Sequence, residues 1–93
     1  MTAELDKLIH KAADVLKSFG ATDVYLFGSV TKGTDNEHSD IDLAVSGIPP
    51  EDFFKAMGTT MNAIKKEFDL VDLDEKNTFV EYLKSHGKLQ RVI

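Results

Sequence analysis

The sequence predicts an α+β fold, a small mixed β-sheet with helices packed on one face. Three observations lead there. Apolar residues recur at helical spacing over residues 2–19, 51–66 and a last stretch after Thr78. Short runs of strand type stand between them, at 24–27, 40–45 and 68–73. The order helix–strand–strand–helix–strand–helix then allows one sheet layer under one helix layer, with the opposite sheet face left open for a ligand.

The first helix is amphipathic, with Leu5, Leu8, Ile9, Ala12, Val15, Leu16 and Phe19 on one side. Thr2 is placed to cap its start and Gly20 to end it. His10 lies off the apolar face and reads as a solvated helix residue. Residues 24–27, Val-Tyr-Leu-Phe, read as a strand that ends at Gly28. Tyr25 reads as an amphipathic edge residue rather than a nucleotide contact. Pro49-Pro50 introduces the second helix, whose stripe is Phe53, Phe54, Met57, Met61 and Ile64. Gly58-Thr59-Thr60 weakens its middle, so a kink or early break is expected there. Thr78 to Glu81 reads as a capping box opening the last helix. The tail from Lys88 alternates and reads as a short strand or a partner-binding segment.

The chemistry concentrates between Gly28 and Asp42. Gly28 permits a tight turn and close approach of a ligand to the backbone. Ser29 follows with a hydroxyl and an N–H at what reads as a short helix start, a natural seat for phosphate oxygens. Lys32 adds a cation to that site. Asp40, Ile41, Asp42, Leu43, Ala44 and Val45 alternate, so Asp40 and Asp42 share a face roughly 6–7 Å apart along the strand. Two parallel carboxylates can converge on hard divalent cations; Mg²⁺ takes such oxygen ligands together with substrate phosphates. His38, in the polar connection before them, is a poor match for Mg²⁺ and reads as loop. Singly, Gly-Ser reads as a turn and Asp-x-Asp as a solvated strand face. Joined in a strand–Gly-Ser–strand context, they are far more specific. The last strand run adds Asp69 and Asp72, which alternation puts on opposite faces. Periodicity does not say which of them meets Asp40 and Asp42.

Gly28-Ser29, ten residues, then Asp40-Ile41-Asp42 resembles the signature of the DNA polymerase β-like nucleotidyltransferase superfamily. The short chain and the form Gly-Ser-Val-Thr-Lys-Gly resemble its minimal nucleotidyltransferase (MNT) branch, with Lys32 where many relatives carry Arg. The resemblance implies a palm-like fold, with the β and γ phosphates of a nucleotide held at Gly28 and Ser29. It implies two Mg²⁺ ions at Asp40, Asp42 and a third carboxylate. The family pattern of an apolar residue followed by Asp-Leu-Val selects Asp69 for that place, with Asp72 as the alternative. It also implies ATP as substrate, AMP transfer to a hydroxyl, and a small helical HEPT protein as partner. In such pairs the MNT member acts as antitoxin by modifying a tyrosine of the toxin. A small-molecule acceptor completed by a partner subunit, or a catalytically silent partner-binding module, are the alternative readings. The intact pair of aspartates speaks against the silent module.

Composition narrows the classes further. At 93 residues the chain is expected to be one domain, 1–93, with a modest core. The balance of 42% hydrophobic and 29% charged residues is that of a soluble globular protein. A net charge of −5 without a basic block argues against a nucleic-acid partner. The absence of cysteine excludes disulfide and thiolate chemistry. No long apolar run or signal-peptide pattern marks a membrane partner, and a cytoplasmic location is expected. Self-association into a homo-oligomer stays open at this stage.

Overall fold

The computed structural model describes residues 3–27, 41–66, 68–86 and 89–92. The expectations for Gly28, Ser29, Lys32, His38 and Asp40, and the capping role of Thr2, lie outside the described residues.

Helix α1 spans Ala3–Ser18, with Leu5, Ile9, Ala12, Ala13 and Leu16 buried. Its end has the double hydrogen bond of a Schellman turn: the Gly20 N–H donates to the Lys17 carbonyl at 3.0 Å and the Ala21 N–H to the Leu16 carbonyl at 3.2 Å. Gly20 takes a φ of +109°, which glycine adopts without a steric cost. Strand β1, Asp23–Phe27, follows, and β2, Ile41–Ser46, runs antiparallel to it. Helix α2, Pro50–Ile64, then crosses over to β3, Phe68–Asp72, which pairs parallel with β2. Helix α3, Thr78–Ser85, leads to the two-residue β4, Gln90–Arg91, antiparallel to β1. The alternating tail is thus a short strand. The sheet order is β3-β2-β1-β4, mixed as expected.

Val24, Leu26, Ile41, Leu43, Val45 and Phe68 turn one sheet face toward α1 and α2 and build the main core with them. The expected α+β fold is present, but not all helices share that face. Val80 of α3 packs with Ala44 and Leu73 on the other side, against Tyr25, Phe27 and Val71. The physical reason is that these residues make much of the second face apolar, and such a face needs cover. α3 leaves the end of that face near Asp42 open.

Three local expectations change. The second helix runs unbroken through Gly58, because Ala56 and Ile64, on either side of it, are buried in the main core. Phe54 leaves the expected apolar stripe and is 79% exposed. The last helix is capped by Asn77, not Thr78: the Asn77 side chain accepts the Val80 N–H at 2.9 Å. Asn is at least as good a cap as Thr, so the helix starts around the earlier residue and Glu81 falls outside a capping box.

Two backbone turns lock α1 to the sheet. Gly47 has a φ of +100°, and a Cβ there would stand 2.8 Å from the Gly20 carbonyl oxygen and 2.9 Å from the Thr22 nitrogen. The neighbouring Thr22 N–H donates to the Ser46 carbonyl at 2.9 Å. At the other sheet edge, Arg91 pairs with Asp23 at 2.9 Å and lies over the Tyr25 ring.

Gly47→Ala is therefore expected to cost about 2 kcal/mol and to lower the Tm by about 10 °C. Gly58→Ala, where nothing lies within 4 Å of the added carbon, should raise stability by about 0.8 kcal/mol. Denaturant titration of the two variants checks both signs. The cap assignment predicts a loss of about 1 kcal/mol for Asn77→Ala and a smaller one for Thr78→Ala, read in the same titration.

Candidate active site

Parallel pairing of β2 with β3 places Ile41 opposite Phe68, Asp42 opposite Asp69 and Leu43 opposite Leu70. Register partners on neighbouring strands point to the same face, with backbones about 4.8 Å apart. Ile41, Leu43 and Phe68 enter the main core, so Asp42 and Asp69 both project from the opposite face. On the other side of Asp42, its antiparallel partner is Phe27. A row Phe27–Asp42–Asp69 thus crosses the sheet, with Asp42 half-buried and Asp69 exposed.

Phe79, at the start of α3, stands at the Phe27 end of this row and meets Phe27 edge to face at 6.1 Å between ring centres. Phe27, Asp42, Asp69, Val71 and Phe79 contribute to an open hollow of about 480 Å³. One row further along, Tyr25 pairs with Ala44 and Ala44 with Val71. Ala44 is fully buried in that row beneath α3, so the two carboxylates stand at the more open end of the face. Tyr25 itself is half-buried, its hydroxyl 3.5 Å from the Arg91 guanidinium.

Asp72 stands differently. Its register partner is Val45, a residue of the main core, so it belongs to the face opposite Asp42. Its Oδ1 accepts the Asp74 N–H at 2.9 Å and its carbonyl accepts the Glu75 N–H at 3.2 Å. Asp74 in turn accepts the Gly47 N–H at 2.8 Å. Asp72 and Asp74 thus shape the turn after β3. The ambiguity that alternation leaves between Asp69 and Asp72 is one of face, and Asp69 has the face of Asp42.

Chain connectivity brings the remaining candidates near in sequence. Strand β1 is described to Phe27 and β2 from Ile41, one residue from Phe27's partner Asp42. Gly28, Ser29, Lys32 and Asp40 lie between these points in the sequence. Among the described residues no group of three or more acidic or histidine side chains could hold a metal. Asp42 and Asp69 form a two-carboxylate, all-oxygen donor pair, which is the chemistry a hard cation such as Mg²⁺ accepts. His10 is exposed on α1 and 3.6 Å from Asp6, one helical turn away.

Sequence reasoning missed the aromatic frame. Phe79 and Val80 are adjacent on a helix, and Val80 takes the buried position, so Phe79 is left half-exposed at the hollow. The signal was present in the pair itself, since neighbouring helical residues do not face the same way.

The fold and this row of residues define a palm-type α+β nucleotidyltransferase scaffold. The sequence pattern of the family described as "Polymerase beta, Nucleotidyltransferase" matches residues 8–89. The chain belongs to that family and is a nucleotidyltransferase. A comparison with curated proteins returns no match. Several solved structures share the fold. One, a toxin–antitoxin with AMP-PNP, is 24% identical with a TM-score of 0.70, over 99% of this chain and 73% of that one. A mutant MntA–HpeT toxin–antitoxin is 26% identical with a TM-score of 0.67, over 89% and 69%. A tri-AMPylated HEPN toxin of Shewanella oneidensis in complex with MNT antitoxin gives 21% identity and a TM-score of 0.66, over 95% and 71%.

Proposed function

We propose that the chain is a Mg²⁺-dependent transferase that moves AMP from ATP to a hydroxyl, the acceptor being a tyrosine of a small helical partner toxin. The observation that carries this reading is the in-register pair Asp42–Asp69 at the open end of the sheet in a member of this family. Solved relatives add support. One contains AMP-PNP, and another pairs an MNT antitoxin with an AMPylated HEPN toxin, the kind of partner the sequence reading names HEPT. An antitoxin role follows from that pairing. A reaction that consumes ATP, in a chain without cysteine, is assigned to the cytoplasm.

Each residue has a distinct task. The Gly28 and Ser29 N–H groups would hold the β and γ phosphates, and Lys32 would add a positive charge beside them. Asp40, Asp42 and Asp69 would hold two Mg²⁺ ions. When bound, the ions supply charge neutralisation for the triphosphate and a lowered pKa for the acceptor hydroxyl. The acceptor oxygen forms a bond to the α-phosphorus while the bond from that phosphorus to the bridging oxygen breaks, and pyrophosphate leaves. Asp69, the more exposed of the described pair, takes the hydroxyl proton.

Asp42→Asn and Asp69→Asn should each lower AMP transfer by about a hundredfold or more while leaving the far-ultraviolet circular dichroism unchanged. Transfer of label from α-³²P-ATP to the purified partner measures it. Calorimetry with a non-hydrolysable ATP analogue, with and without Mg²⁺, reads nucleotide binding separately. Full transfer by either variant would sink the assignment.

A further inference from the structure

β3 is a terminal strand of the sheet, and no described strand pairs with its outer side. The Leu73 N–H, just past its end, donates inward to the Val45 carbonyl at 2.8 Å. Strand alternation then turns the main-chain groups of Phe68 and Leu70 outward, together with the N–H of Asp72. Both sides of this edge carry aromatic side chains. Phe53 and Phe54 of α2 stand on the helix face, and Phe79 of α3, 50% exposed, on the carboxylate face. Between them runs a groove of about 820 Å³ that touches Leu70, Val71 and Asp72. It shares Leu70, Val71 and Phe79 with the hollow at Asp42 and Asp69. Asp72, Asp74 and Glu75 line the groove, and no Lys or Arg does among the described residues.

We propose that the outer edge of β3 docks an extended, basic segment of a protein partner as a fifth strand, and that this segment carries the acceptor hydroxyl. The second half rests on the transferase reading above. An added strand lies about 4.8 Å beyond β3 and sends alternate side chains to the two faces. Apolar side chains on one face fill the space beside Phe53 and Phe54. Side chains on the other pass Phe79, and one beside Asp69 brings its hydroxyl to the carboxylates. Asp69, on the face that takes the hydroxyl side chain, and Asp74 and Glu75 just past the end of β3 select Lys or Arg in the segment. They disfavour a second copy of this chain, whose net charge of −5 would set like charges together. The reaction is the one written above: the hydroxyl oxygen bonds the α-phosphorus, pyrophosphate leaves, and Asp69 takes the proton.

The test uses a fluorescent synthetic peptide of about nine residues, with valine at odd positions, lysine at even ones and tyrosine replacing one lysine. Anisotropy should show binding to the full chain. Binding should weaken about tenfold or more when alternate peptide nitrogens are methylated, since strand pairing is lost, and equally with Phe54→Asp. Phe54 is 79% exposed, so that variant should fold, which thermal unfolding verifies. Its affinity for the ATP analogue should be unchanged. With Mg²⁺ and ATP, the peptide tyrosine should gain the mass of AMP. Absence of binding, or binding indifferent both to methylation and to Phe54→Asp, overturns the docking edge. Self-association of the chain that Phe54→Asp abolishes also overturns it, in favour of a second copy. Peptide binding without any binding of the ATP analogue supports the docking edge and overturns its tie to transfer.

Discussion

The register between β2 and β3 is the constraint on which the rest depends. One pairing serves two ends at once. It sends Ile41, Leu43, Phe68 and Leu70 toward the helices, and it sets Asp42 beside Asp69 on the far face. A slip of one residue would invert every side chain of β3, placing Asp69 among the apolar residues and Leu70 in water. Burial and chemistry therefore select the same alignment. The turn after β3 reinforces it from outside the strand: Leu73 bonds back to Val45 and Asp74 to Gly47, so the end of β3 is tied to the end of β2.

The two faces of the sheet divide the work. α1 and α2 supply most of the buried apolar surface on one, so that side can be closed completely. The other has only the short α3, which covers Ala44 and Leu73 and stops at Phe79. The carboxylate pair occupies the part α3 does not reach. An exposed polar row would be a defect in the middle of a core; at the end of a half-covered face it costs little, and it leaves a ligand free to approach.

Much of this was legible from the residues. α1 declared itself through apolar positions in step, and β2 through alternation, with Asp42 on one side and Ile41, Leu43 and Val45 on the other. The limits were physical as well. Asp69 and Asp72 alternate across one strand, and only the neighbour strand reveals which face is which. Asn77 and Thr78 are both competent caps, and one residue separates them. The break expected at Gly58 did not occur because burial of Ala56 and Ile64 in the main core outweighs the weak helix propensity of glycine. Phe54 resembles its core-packed neighbour Phe53 in type, but helical rotation carries it outward. For Gly28, Ser29, Lys32 and Asp40 the reading stands on the sequence pattern, since these residues lie outside those described.

The parallel crossover also sets a timetable. Asp42 lies 15 positions along the sequence from its antiparallel neighbour Phe27 but 27 from Asp69, which it reaches only after the whole of α2 has been traversed. Contacts of that sequence separation form late, because loop closure must be offset before they contribute anything. As the chain leaves the ribosome, α1, β1 and β2 can associate well before β3 exists. The second carboxylate is thus among the later parts to arrive, and a chain stalled after α2 would hold much of the scaffold with only one aspartate of the Asp42–Asp69 pair.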